Sequence, residues 1–64
     1  MDNNFKSALI YVVGKDAALH INQSLEDEER PHEVVVRKVE GGLRQVTIYC
    51  DTDNIEYFRG LWHE

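Results

Sequence analysis

The sequence predicts an α+β fold: a small four-stranded antiparallel sheet made of two hairpins, with a C-terminal helix on one face. Three observations carry that expectation. Residues 8–13 form a short apolar run with β-branched and aromatic members that ends at Gly14. Residues 33–39 and 43–51 are rich in β-branched residues and flank the loop Glu40-Gly41-Gly42, which reads as a hairpin. Beyond Asp53 the apolar residues Ile55, Phe58 and Leu61 recur at helical spacing.

The first strand, residues 8–13, has the composition of a strand buried on at least one face. Two structures compete for residues 16–30. In the hairpin reading, Gly14-Lys15 is a two-residue turn that sets Val13 opposite Asp16. Val12 then meets Ala17, Ile10 meets Leu19 and Ala8 meets Ile21, so that one face of the ribbon is wholly apolar. The other face, with Tyr11 near Ala18 and Leu9 near His20, is mixed. In this reading Ser24 opens a short helical turn through capping-box spacing to Asp27, closed by Pro31. The helix reading makes Asp16 the N-cap, aligns Ala17, Ala18, Ile21 and Leu25 on one side, and stops before Pro31. It leaves Leu19 off the apolar side and puts Glu26-Asp27-Glu28-Glu29 at the helix C-terminus, where the macrodipole disfavours negative charge. The hairpin is the first expectation, and β-α-β-β-α the alternative.

The second hairpin is the clearest pattern in the chain. A three-residue loop ending in glycine fits a type I turn with a bulge and sets Val39 opposite Leu43. Val36 then faces Val46, Val34 faces Ile48, and His32 lies near Cys50. The reverse face carries Val35, Arg37, Val39, Leu43, Gln45, Thr47 and Tyr49. Capping-box spacing of Asp53 and Glu56 begins a helix over residues 54–59, with Gly60 as its left-handed C-terminal residue. Ile55, Phe58 and Trp62 should cover the sheet on the face formed by Ile10, Val12, Leu19, Ile21, Val34, Val36, Val46 and Ile48.

A chain of 64 residues has room for one domain, spanning residues 1–64, and its margin of stability is thin. The single cysteine excludes an intramolecular disulfide and suits a reducing compartment. His20, His32, Cys50 and His63 show no paired ligand spacing, so no metal or cofactor is expected. Residues 1–6 carry acid where a signal peptide would carry positive charge, and the apolar run at 8–13 is too short for a bilayer. A cytoplasmic protein away from membranes is expected. The sequon Asn22-Gln23-Ser24 has no meaning without a secretory route. Asp51-Thr52-Asp53 opens like a calcium loop, but Glu56 and Trp62 stand where glycine and the bidentate acid belong.

A net charge of −5, from 12 acidic and 7 basic residues, opposes broad attachment to phosphate backbones. His32 near Cys50 is the one arrangement that resembles a base and its nucleophile, and an inward cysteine at a strand end more often behaves as a small hydrophobe. With no catalytic set at interpretable spacing, the protein is expected not to be an enzyme. The expectation is a small acidic regulator or inhibitor that acts by binding another protein or a second copy of itself, through Val35, Val39, Leu43 and Tyr49. The alternative is a nucleic-acid-binding protein using the basic hairpin around Arg37, Lys38 and Arg44.

Overall fold

The computed structural model describes residues 5–61. Its elements are β1 (Ser7–Val13), α1 (Lys15–Ser24), β2 (His32–Lys38), β3 (Arg44–Cys50) and α2 (Ile55–Gly60), with 3-10 turns at Glu40–Gly42 and Thr52–Asn54. The element order is β-α-β-β-α. The sheet has three strands in the order β1-β3-β2, and β3 is antiparallel to both neighbours. The β1-α1-β2 connection therefore passes over β3, a split β-α-β arrangement.

The expected fourth strand and first hairpin are absent, because residues 15–24 are helical. Ala18, Ile21 and Leu25 recur at spacings of three and four, and all three are buried against the sheet. Leu19 stays outside, 56% exposed. α1 ends at Ser24, so the acids follow the helix and do not occupy its last turn; Glu26 adjoins the C-cap Leu25, and Asp27 to Glu29 lie farther along the loop. Gly14 rather than Asp16 is the N-cap. Ser24 closes α1 instead of opening a turn, its hydroxyl donating to the His20 carbonyl at 2.9 Å.

Once residues 15–24 are helical, β1 must pair elsewhere, and it pairs with β3. Leu9 lies opposite Ile48 and Tyr11 opposite Val46, which turns the odd-numbered residues of β1 inward. Ile10 and Val12, expected in the core, lie on the reverse face with 62% and 56% of their surface exposed. Side chains alternate along a strand, so only one set can face the helices. Leu9, Tyr11 and Val13 fill more space than Ala8, Ile10 and Val12. The core comprises Ala18 and Ile21 of α1 with its C-cap Leu25, Val46, Ile48 and Cys50 of β3, and Phe58 of α2, ringed by Leu9, Tyr11, Val13, Val34 and Ile55.

The β2–β3 hairpin follows its expected register: Val36 opposite Val46, Val34 opposite Ile48, and His32 opposite Cys50. The Val39 amide donates to the Leu43 carbonyl at 3.1 Å and closes the turn. Gly41 and Gly42 both have left-handed φ, 77° and 75°, whereas a type I turn with a bulge requires that only at the last loop residue. After β3, a hydrogen bond of 2.8 Å between the Ser7 and Thr52 hydroxyls ties the start of β1 to the second 3-10 turn. α2 then runs against β1, and α1 against β3, both on the same side of the sheet. Neither Asp53 nor Glu56 caps α2 through its side chain, and Gly60 lies inside the helix without left-handed φ. Trp62 lies outside the described residues.

Candidate functional site: a basic-rimmed groove and an uncovered sheet face

Two helices cannot roof three strands completely, and the gap they leave is a groove. Residues Lys15, Ala18, Leu19 and Asn22 on α1 form one wall, and Val36 and Arg44 on the β2–β3 ladder form the other, around a cavity of about 250 Å³. Ala18 lies at its base. Leu19 and Val36 are large apolar side chains left 56% and 43% exposed. Leu19 is the residue that helical periodicity leaves off the core side, and here it faces the mouth of the groove.

The rim is basic. Lys38 lies opposite Arg44 on the same face of the ladder, one step beyond the Val36–Val46 pair. Arg44 is steadied along its own strand, where its Nη1 donates to the Gly42 and Leu43 carbonyls at 3.2 Å each. Among the described residues the ion pair within 4 Å is Arg59–Glu56, at 3.0 Å, so Lys15, Lys38 and Arg44 form no direct ion pair there, although Asp16 adjoins Lys15 and Glu40 lies in the turn between Lys38 and Arg44. Three of the seven basic residues of an acidic chain thus gather at one end of one face. The acids Glu28, Asp51, Asp53 and Glu56 lie at the opposite end, beyond the His32–Cys50 pair.

Among the described residues the other side of the sheet carries no helix. Its rows are Ala8–Tyr49–Glu33, Ile10–Thr47–Val35 and Val12–Gln45–Arg37, read across β1, β3 and β2. Thr47 is buried at its centre, and the Gln45 amide reaches the Thr47 hydroxyl at 3.5 Å. The apolar part lies along β1, and charge is confined to β2.

This geometry divides the residues expected to bind protein. Val35 and Tyr49 share the uncovered face and are half-buried there, while Val39 and Leu43 are exposed at the base of the turn, outside the strands. It also divides the basic set: Arg37 belongs to the uncovered face, Lys38 and Arg44 to the groove side. Lys15, Leu19 and Val36 were not legible as site residues, although the off-face position of Leu19 was the signal that could have found them.

His32 and Cys50 are neighbours, as their spacing predicts, and their surroundings suppress thiolate chemistry. Cys50 is fully buried, and that burial, with Asp51 beside it, pushes its thiol above the ordinary range. His32 Nδ1 lies 2.6 Å from the Arg30 carbonyl, and its ring packs on Phe58 with 5.5 Å between centroids. His63 lies outside the described residues. Among the described residues no three His, Cys, Asp or Glu side chains gather to hold a metal ion, and no helix is long and apolar enough to cross a membrane.

A polar clasp ties the α1–β2 loop to α2. The Arg30 guanidinium lies 3.9 Å from the centre of the Tyr57 ring, and its Nη1 donates to Asn54 Oδ1 at 2.9 Å. The Tyr57 hydroxyl donates to Glu28 Oε2 at 2.7 Å, and the Arg30 amide to Glu28 Oε1 at 3.2 Å. The hydroxyl holds the Glu28 carboxyl below its ordinary range, and the same bond pushes the Tyr57 phenol up.

No family model matches this chain, and comparison with curated proteins and with solved structures yields no match.

Proposed function

We propose that the protein is a non-enzymatic interaction module, a small regulator or inhibitor that acts by binding another protein, and that the groove beside α1 takes an acidic peptide segment with an apolar anchor. The groove carries this reading: exposed Leu19 and Val36 under a rim of Lys15, Lys38 and Arg44, in a chain of net charge −5. A cavity of about 250 Å³ is smaller than the pockets that enclose drug-sized ligands, and it matches one or two large side chains. Apolar contact at the floor supplies affinity, and the rim selects the sign of the ligand's charge. The burial of Cys50 and its raised thiol support the non-enzymatic part.

Fluorescence anisotropy with a labelled ten-residue peptide of alternating leucine and glutamate tests the reading. Saturable, salt-sensitive binding is expected, weakened about tenfold by Arg44→Glu and likewise by Leu19→Glu. A leucine–lysine peptide of equal length should not bind. Equal binding of both peptides refutes the reading, and binding of a single-stranded oligonucleotide in place of the acidic peptide transfers the groove to nucleic acid.

A further inference from the structure

We infer that β1 is a self-pairing edge: two copies of the chain join their β1 strands antiparallel about a two-fold axis beside Ile10, and fuse two three-stranded sheets into one of six. The inference concerns a different surface from the groove and stands without it.

The two margins of the sheet are built differently. β2 carries His32, Glu33, Arg37 and Lys38 and follows Pro31, the charges and proline that keep an edge from recruiting another strand. β1 reads Ser-Ala-Leu-Ile-Tyr-Val-Val over seven residues, with no charge, no proline and no glycine. Among the described residues the sheet ends at this strand. A long, uncharged, β-branched margin is the kind that pairs with another chain.

The strand is also complementary to itself. A two-fold axis perpendicular to the sheet puts residues on the same face opposite each other only when their numbers share parity. With Ile10 opposite Ile10 of the second copy, Ala8 faces Val12, Leu9 faces Tyr11 and Ser7 faces Val13, and all seven residues are paired. No like charges meet. On the uncovered face, Ala8, Ile10 and Val12 of both copies merge into one apolar stripe at the centre of the six strands. The charged β2 strands then lie at both outer margins. Ile10 and Val12, more than half exposed in the single chain, gain neighbours beyond the strand at which the sheet ends among the described residues.

The strand margins alone span about 24 Å and cover on the order of 500 Å² in total. Stable complexes need about 1,200 Å² or more, so the pair is weak and dependent on concentration. Sedimentation equilibrium of the 64-residue chain from about 5 µM to about 500 µM tests it, with the weight-average mass expected to rise from one chain toward two. Ile10→Lys sets two ammonium groups against each other at the axis and should abolish the rise, while Ile10→Thr keeps a β-branched residue and retains part of it. Circular dichroism of Ile10→Lys confirms that this exposed substitution leaves the fold intact. Amides of residues 7–13 should exchange several-fold more slowly at the higher concentration. A monomer mass at about 500 µM overturns the inference, as does a dimer indifferent to Ile10→Lys. Leu19→Glu and Arg44→Glu should leave the mass unchanged, so failure here and failure of the groove are told apart.

Discussion

Tyr57 touches Arg30 with its ring and Glu28 with its hydroxyl, and so fastens the loop after α1 to the last helix. Tyr57→Phe keeps the stacking surface and deletes the hydrogen bond. The variant should be less stable than the wild type at neutral pH, and the difference should shrink as pH falls below 4.5, the ordinary value for Glu28. The sign follows from the lowered pKa. A carboxyl depressed by folding contributes stability that is present above its unfolded value and lost as pH drops through the folded one. Urea midpoints of both proteins from about pH 7 to about pH 3 check this, and a difference that stays constant into acid would refute it. The contact was invisible in the sequence. Glu28 sits in a run of four acids that reads as solvated surface, and its donor lies 29 residues away.

α1 is the element with the most room for improvement. Its N-cap, Gly14, is extended at φ −70° and ψ 168°, a conformation any residue adopts, and offers no side-chain cap. A Cβ added there meets nothing within 4 Å. Gly14→Ser should therefore stabilise by about 0.5–1 kcal/mol, from the new cap and the stiffer unfolded chain, and raise the melting temperature by about 2–6 °C. Calorimetry reads the shift, and an unchanged or lower melting temperature counts against the assigned cap. The same element marks the limit of legibility. The β2–β3 hairpin was readable because Gly41-Gly42 fixes a turn and the flanking valines and Ile48 then fall into register. Residues 8–21 satisfy a period of two and a period of 3.6 about equally well. Burial of Leu9 and Tyr11 against Ile48 and Val46 decides between them, and that contact spans more than thirty residues of sequence. Once α1 is helical, the face of β1 inverts relative to the hairpin expectation, which is why Ile10, Val12 and Leu19 lie outside the core. The groove follows from the helix itself, since its walls are α1 and the β2–β3 ladder.

At the scale of the whole molecule, the net charge conceals an uneven placement: Lys15, Lys38 and Arg44 gather at the turn end with Asp16 and Glu40 among them, and the run Glu26 to Glu29 lies at the other end. Overall composition argues against an acidic ligand, and local placement favours one, because screened charges act over about 10 Å rather than over the whole surface. The strand order has a different consequence, one that concerns synthesis. β3 lies between β1 and β2 but is made after both, so neither earlier strand has any neighbour to bond until residues 44–50 leave the ribosome. A nascent chain that ends before Arg44 holds two unsatisfied strands and a ten-residue helix, too short to persist alone in water. The fragment 1–43 should thus show a disordered circular dichroism spectrum, while the full chain melts in one cooperative step. A folded fragment would contradict the central role of β3. Until β3 is made, the uncharged strand β1 has no partner in this sheet, and it is the segment of the incomplete fold most open to pairing with another chain.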